Sequence, residues 1–379
     1  MRTPISMFSA AVLVLAACSE TDVLEPAGSD AAFVQAASAS GAVYVLSNAV
    51  AGNAVLAFAR AADGSLTGPV AYATGGTGTG AGLGSQGAVV LSDNGRWLFA
   101  VDAGSDELSV FRVEAGNLTL TDRVGSGGDM PISVTVRGRT VYVLNAGGSG
   151  NIVGYGLSQS GDLSPLAGST QPLSGAGTGP AQVEFSPNGR LLVVTEKMTN
   201  MIVTYAVDSQ GIAGPPQANV SAGATPFGFA FSGSNRLIVS EAFGGAADAS
   251  ATSSYFLRSN GAVETISASV GTTETAACWV VVSRNGRFAY VTNTGSGTVT
   301  GYEIGRGGRL FLLDADGETA QSGPGPIDAA FSDGDRFLFV LNAGDGSISG
   351  FGVGPNGNGL SAVGGVSGLP AGAVGLAAH

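Results

Sequence analysis

The chain is short of the side chains that most hydrolytic and metal-dependent enzymes use. Its 379 residues include one histidine, His379, one lysine, Lys197, and two cysteines, Cys18 and Cys278. Ser-His-Asp and Cys-His arrangements are excluded unless the terminal His379 reaches the site, and no His/Cys zinc set can form. Carboxylates, amides, arginines and Lys197 therefore remain as candidates for chemistry.

Charged residues are also scarce, at 12% of the chain, and their balance is acidic, with a formal net charge of -12. A chain of this charge is not expected to bind nucleic acid or an anionic membrane surface. Hydrophobic residues reach 44%, which is too apolar for a disordered chain and enough to bury a core.

The N-terminus reads MRTPISMFSAAVLVLAACSE, with an early arginine and an apolar run too short for the roughly 20 residues of an uncleaved membrane anchor. Leu15-Ala16-Ala17-Cys18 resembles the bacterial lipobox, in which the cysteine is acylated. The sequence predicts a lipoprotein signal peptide over 1–17, Cys18 as the lipidation site, and a flexible tether over 18–40. Ser19 after the cysteine favours the outer membrane facing the periplasm, with the lipid as the sole membrane contact.

Cys278 has no disulfide partner if Cys18 is lipidated, so core burial must stabilise the protein. The simplest interpretation of this cysteine is a small buried hydrophobe.

Two turn patterns recur along residues 41–379. The first joins two apolar runs, as in Ser186-Pro187-Asn188-Gly189-Arg190, and returns around Arg96, Arg236, Arg287 and Arg336 and, shortened, at Arg137-Gly138-Arg139. The second turn lies further along each unit, at spacings of 45 to 52 residues: Gly64, Gly116, Gly161, Gly211, Gly261, Gly308 and Asn358.

This period, with four short strands per unit, predicts an all-β, seven-bladed propeller whose blades are four-stranded antiparallel sheets. The sequence contains six copies of the first turn pattern but seven copies of the second. The difference is explained if the C-terminal strand near Leu376 completes the blade that begins at Ala42, which closes the ring.

Residues 75–87 read GGTGTGAGLGSQG, and the last six match the glycine pattern of dinucleotide-binding loops. That pattern needs a following helix to hold phosphate, whereas here a strand, a turn and another strand follow. We expect an interblade loop that reaches the central channel, with Gln86 in the place where other units carry proline.

Polar residues end the predicted second strands, which should meet at one mouth of the channel: Asp102, Asn145, Glu196, Glu241, Asn293 and Asn342. The innermost strands add Ser133, Gln182, Gly228, Trp279 and Asp328 at matching positions. Asn and Asp also suit turns through local backbone bonds, so a purely local role is the alternative, although glutamate has no special turn role.

Other interpretations stay open for three features of this mouth. Lys197 is either a solvated turn charge or part of a site, and Trp279 either packs in the channel or stacks on a ligand. Oxygen ligands at the rim could hold Ca²⁺, but their spacing is not that of any dedicated loop, and no cofactor is expected.

Three stretches carry a resemblance to a known family: Phe185-Ser186-Pro187-Asn188-Gly189-Arg190, the Phe288 to Val299 segment, and Phe337 to Asn342, together with the Gly-Pro turns. From Ala42 onward the chain resembles the seven-bladed lactonase propellers, which include 6-phosphogluconolactonases and carboxymuconate cyclases. The resemblance implies a site just after the Gly-Pro turns, where the family commonly carries His and Arg and this chain has Ala181-Gln182 and Ile327-Asp328.

Two functions follow as hypotheses. In the first, a lactonase-like or cyclase-like enzyme uses Glu196 or Glu241 as general base and Lys197 to steady the developing oxyanion. Its lactone or sugar-like ligand is expected to contact Gln86, Asp102, Asn145, Gln182, Trp279, Asn293, Asp328 and Asn342. In the second, a monomeric propeller on the cell envelope binds a ligand or a protein without catalysis.

Overall fold

The computed structural model describes residues 39–379, and these form a closed ring of seven β-sheets. The predicted all-β, seven-bladed propeller is therefore confirmed. The predicted signal peptide, Cys18 and most of the predicted tether lie outside the described residues.

Each sheet is a blade of four strands, numbered from the channel outward, so that the first strand lines the channel and the fourth lies on the outside. Blade 1 contains β1 (Ala39–Leu46), β2 (Ala54–Ala61) and β3 (Leu66–Ala73), and blade 2 contains β4 (Val89–Leu91), β5 (Trp97–Asp102), β6 (Glu107–Glu114) and β7 (Asn117–Gly125). Blade 3 contains β8 (Pro131–Arg137), β9 (Thr140–Asn145), β10 (Asn151–Leu157), β11 (Leu163–Pro165) and β12 (Gln171–Pro172).

Blade 4 contains β13 (Pro180–Phe185), β14 (Leu191–Glu196), β15 (Met201–Val207) and β16 (Ala213–Val220). Blade 5 contains β17 (Pro226–Ser232), β18 (Arg236–Glu241), β19 (Ala251–Leu257) and β20 (Val263–Gly271). Blade 6 contains β21 (Ala277–Val282), β22 (Phe288–Asn293), β23 (Thr298–Ile304), β24 (Leu310–Leu312) and β25 (Ala320–Gln321).

Blade 7 contains β26 (Pro326–Phe331), β27 (Phe337–Asn342), β28 (Ser347–Val353) and β29 (Leu360–Ser367), and the last strand is β30 (Val374–Ala378). Short 3₁₀ turns lie at Phe243–Gly245, Arg306–Gly308, Asp333–Asp335 and Pro355–Gly357. No helix within residues 39–379 is long and apolar enough to cross a membrane.

The ring closes as the turn count predicts, because β30 pairs antiparallel with β1 and becomes the innermost strand of blade 1. In blades 3 and 6 the fourth strand is interrupted, and its two pieces pair separately with the third strand.

The second strands are buried on both faces because each blade packs between two others. All six residues of β27, FLFVLN, are buried, whereas the outer strand β16 alternates and is largely exposed. This difference follows from the continuous apolar runs of the former and the polar alternation of the latter. Most of the hydrophobic clusters pack between neighbouring blades.

The recurring turns take the conformations that their residues favour. Gly211 has φ +84°, a conformation that L side chains rarely adopt, in the turn between β15 and β16. Each innermost strand that begins with proline carries a bulge directly afterwards, as between Pro180 and Gln182. The bulge reorients the following side chains at the start of the channel wall.

Candidate functional site

The polar residues that end the second strands are all completely buried, and they bond to neighbouring strands and to the loops between blades. Glu196 illustrates this. Its Oε1 accepts from the Ser174 N–H at 2.9 Å, and its Oε2 accepts from the Ser174 and Thr199 hydroxyls, the latter at 2.7 Å. The carboxylate therefore ties the end of β14 to the loops that follow β12 and β14.

Glu241 makes the same kind of contact in blade 5. Its Oε1 accepts from the Gly223 N–H at 2.8 Å and the Tyr255 hydroxyl at 3.2 Å, and its Oε2 accepts from Ser269 at 2.7 Å. These donors belong to the loop before β17 and to the third and fourth strands. Both glutamates therefore join strands and loops inside the fold. The sequence hypothesis had instead placed them in a catalytic site at the channel mouth.

The remaining residues of this set behave alike. Asp102 accepts from Asn53 and from the Thr74 and Ser109 hydroxyls, and burial raises its pKa. The Asn293 amide donates to Thr298 at 3.0 Å and to Thr300 at 2.8 Å. Asn145 and Asn342 also bond to neighbouring strands or loops of the sheet: Asn145 to Asn151, and Asn342 to Ser322, Ser347 and Ser349. These contacts are structural, but most of them join segments that are distant in sequence, whereas the alternative in the sequence analysis expected local backbone bonds within turns.

Lys197 is in a different environment from the glutamate that precedes it. Its Nζ donates to the Gly84 carbonyl and, at 3.1 Å, to the Pro180 carbonyl, and it lies 4.6 Å from the centroid of the Phe227 ring. Burial lowers the pKa of this amine to about 8, while the nearby Cys278 has the opposite, smaller effect. No hydrogen bond or ion pair joins Lys197 to Glu196 or Glu241 within the described part of the chain.

The Gly84 carbonyl belongs to a segment, 83–87, that crosses this mouth of the channel. Ser85 donates to the Ile132 carbonyl of blade 3 at 2.8 Å, and the Gln86 N–H donates to the Ala181 carbonyl of blade 4 at 3.0 Å. On the far side, the Trp279 indole of blade 6 donates back to the Ser85 carbonyl at 2.8 Å. We call residues 83–87 the plug.

The Gln86 side chain fixes the plug to blade 6. Its amide nitrogen donates to the Val280 carbonyl at 2.9 Å, and its oxygen accepts from the Val280 N–H at 3.2 Å. Blade 5 makes room for it, because a Cβ on Gly228 would lie 2.2 Å from the Gln86 oxygen. The glycine run is thus an interblade loop that reaches the channel, as its sequence context predicts.

Trp279 and Cys278 pack beneath the plug in an apolar cluster with Ala181, Phe227 and Ala242. The Trp279 ring lies 4.9 Å from that of Phe227. Burial raises the pKa of the Cys278 thiol to about 11, so it remains protonated at neutral pH. Trp279 is thus buried in this apolar cluster below the plug, and Cys278 is a small buried hydrophobe.

Below the plug the channel contains a cavity of about 330 Å³. Gln86, Gln182, Glu184 and Asp328 line it among smaller apolar residues. The exposed Asp93 also lines it, which shows that the cavity opens at the opposite mouth, where the first hairpin turns lie. The structure therefore brings together Gln86, Gln182 and Asp328 from the predicted set and leaves the second-strand residues outside.

Glu184 also lines this cavity, although the sequence analysis did not name it as a candidate site residue. It lies two positions after Gln182 on β13, and the Gln182 amide donates to its Oε2 at 3.0 Å. Burial, helped by the negative charge of Asp93, raises the pKa of Glu184 to about 8. The two-residue strand period that places Gln182 on the channel side also places Glu184 there, so the signal was present in the sequence.

Asp328 stands across the channel from Glu184, since blades 4 and 7 are on opposite sides of the ring. Its oxygens accept the N–H groups of Ala329 at 2.8 Å and Leu376 at 3.1 Å. Burial nevertheless raises its pKa to about 8. Both channel carboxyls are therefore largely protonated at neutral pH.

The amide of Gln182 also braces neighbouring blades. Its nitrogen donates to the Phe229 carbonyl at 3.0 Å, and its oxygen accepts from the Phe229 N–H at 2.7 Å. Such paired bonds hold Gln182 in one orientation, and through it they hold the Glu184 carboxyl.

No group of three or more His, Cys, Asp or Glu side chains in residues 39–379 is placed to hold a metal ion.

The resemblance to lactonase propellers is confirmed by a match between residues 43–174 and the family described as "Lactonase, 7-bladed beta-propeller". No curated protein matches the chain in sequence at a significant level.

Several solved structures share the fold. A candidate 6-phosphogluconolactonase of Bacteroides uniformis superposes with a TM-score of 0.69 at 17% identity, covering 88% of this chain and 99% of its own. The periplasmic gluconolactonase PpgL of Pseudomonas aeruginosa gives 0.68 at 17% identity, with coverages of 87% and 97%. A candidate 6-phosphogluconolactonase of Bacteroides fragilis gives 0.67 at 16% identity, with coverages of 94% and 100%.

Proposed function

We propose that this lactonase-like β-propeller hydrolyses an uncharged lactone in the channel cavity, with Glu184 as general base. The observation that carries the proposal is a carboxyl on the wall of an open cavity, oriented by an amide that is itself fixed at both ends. The family match and the gluconolactonase named among the structural neighbours support the reaction class.

The chemistry requires only the groups that line the cavity. The Glu184 carboxylate takes a proton from water, whose oxygen attacks the lactone carbonyl carbon. The ring C–O bond then breaks, and the leaving oxygen receives the proton from Glu184 to give the hydroxy acid. Protonated Asp328 is suited to donate a hydrogen bond to the carbonyl oxygen as negative charge develops on it.

The preference for an uncharged lactone follows from the lining. Asp93, Glu184 and Asp328 are acidic, and no Lys, Arg or His is among the described residues that line this cavity. A phosphorylated or carboxylated lactone would bring a second negative charge into a confined site without a cation, which is unfavourable at low dielectric.

The proposal is tested by hydrolysis of neutral sugar lactones between pH 6 and 9, after subtraction of the spontaneous rate in buffer. Because Glu184 must be ionised and Asp328 must stay protonated, the enzymatic rate should be highest near pH 8 and fall at lower and at higher pH. Glu184→Gln should lower it on the order of 10²–10⁴-fold. The exposed Glu264→Gln, in an outer strand, is the matched control. A Glu184→Gln variant that folds and retains the rate and its pH dependence would exclude Glu184 as the base.

A specific observation favours a second candidate, a non-catalytic ligand-binding propeller. The Gln86 and Gln182 amides and the Asp328 carboxyl group all bond to the backbone, which leaves few groups free for chemistry. Saturable binding of a lactone without turnover by the wild type would support this candidate and contradict hydrolysis.

We also propose that the protein is a lipoprotein of the cell envelope, anchored through Cys18. Leu15-Ala16-Ala17-Cys18 supports this, although these residues lie outside the described structure. In Cys18→Ser, the protein should leave the membrane fraction or remain unprocessed, as cell fractionation and mass spectrometry of the N-terminus would show. Membrane association and processing identical to the wild type would contradict the anchor.

A further inference from the structure

A second cavity lies on the open face of the ring, between blades 2 and 3. Its volume is about 520 Å³, and it is lined by Arg96, Trp97, Arg139 and the turn that contains Ser158 and Gln159. It is separate from the channel cavity and shares no lining residue with it.

The short first turn of blade 3 accounts for this space. Only Gly138 and Arg139 separate β8 from β9, whereas five residues separate β4 from β5 in blade 2. Because the blade 3 turn is three residues shorter, a notch remains beside the Arg96 turn. The exposed side chains of Arg96 and Arg139 border this notch from adjacent blades.

Neither Arg96 nor Arg139 forms an ion pair with a carboxylate of the described residues. The nearby carboxylate of Asp162 accepts hydrogen bonds from Ser158 and Ser160. The Arg139 Nε donates to the Leu157 carbonyl at 3.1 Å, which anchors that side chain while its other nitrogens remain available.

Trp97 gives the notch an apolar wall. The guanidinium carbons of Arg96 and Arg112 lie 5.6 and 5.5 Å from its ring centroid, so the arginine that borders the notch is held against an aromatic face. A planar guanidinium is the group that carboxylates and phosphates bind with two parallel hydrogen bonds.

We propose that this notch is a binding site for an organic oxyanion of sugar size, whose carboxylate or phosphate lies between Arg96 and Arg139. This site does not depend on lactone hydrolysis. Since the whole chain is acidic, the attraction is local and should weaken as ionic strength rises.

Titration calorimetry with glucuronate and with glucose 6-phosphate tests the site and distinguishes the two oxyanions. At low salt, we expect saturable binding of at least one, weakened about tenfold by Arg96→Gln and by Arg139→Gln, which corresponds to the loss of one charge-assisted bond. Arg190→Gln, at the equivalent turn of blade 4, is the matched control. Absence of binding by both ligands would overturn the proposal, and so would binding that the two notch variants weaken no more than the control does.

Discussion

The buried carboxylate of Glu196 contributes to the protein through the three donors that it satisfies. Removing it in Glu196→Ala would leave the Ser174 N–H and two hydroxyls without their acceptor in a position closed to water. We expect a loss on the order of 2–4 kcal/mol in the free energy of unfolding.

Chemical denaturation of Glu196→Ala and of Glu114→Ala measures this effect. Glu114 is exposed and lies 3.7 Å from Arg112, so its removal should change the free energy of unfolding by less than about 0.5 kcal/mol. If the two variants are equally stable, Glu196 does not brace the blade. An exposed turn residue would be expected to contribute little to stability. Glu196 is expected to contribute more because it is buried.

Residue-level roles were the hardest to predict from sequence. The ends of the second strands were located correctly, but whether Glu196 faces the channel or its own blade depends on serine and threonine donors in loops 3 and 22 residues away. Glu184, in contrast, could have been found from the alternation of its strand.

At the scale of elements, the plug and the innermost strands form one interlocked unit. Gly228→Ala would place a Cβ 2.2 Å from the Gln86 oxygen and 2.7 Å from the Cys278 carbonyl. Since overpacking of this kind costs about 1–3 kcal/mol, we expect a lower melting temperature and weaker attachment of the plug.

Gly214→Ala is the control, because its Cβ would meet its nearest neighbour at 3.5 Å. Adding Gln86→Ala to Gly228→Ala should restore part of the lost stability, since one of the two clashes is removed. Thermal melts of the three variants measure this. Equal melting temperatures for Gly228→Ala and Gly214→Ala would contradict the close packing of Gln86 on blade 5.

The hairpins were predictable because their signals are local: a positive-φ glycine between two apolar runs. The path of the plug was not, since Gln86 and Val280 are 194 residues apart and no local pattern specifies their contact. The sequence indicated that the loop arrives at the channel, and tertiary packing determined that it crosses.

At the scale of the whole molecule, stability depends on the closure of the ring by β30. Leu376 packs against blade 7 and blade 1, and its N–H donates to Asp328. Leu376→Ala should therefore cost about 2–5 kcal/mol, as much as Leu98→Ala inside the continuous blade 2. Denaturation of both variants decides this, and a loss below about 0.5 kcal/mol for Leu376→Ala would show that the closing strand is dispensable.

The repeat period made this architecture predictable, including the strand that joins the two ends of the described chain. Periodicity determines how many blades stack and which strands are buried, because every unit must cover the faces of its neighbours. The period carries no information about features that differ between blades, such as the shortened turn of blade 3 or the glycine at position 228 of blade 5.

The plug also gives the ring a direction. Because residues 83–87 close one end of the channel, a ligand can reach Glu184 only from the opposite mouth. A polymer could bring only its terminal unit to this residue and could not pass through the ring. A molecule that enters the cavity must therefore leave by the same mouth before the next one can bind.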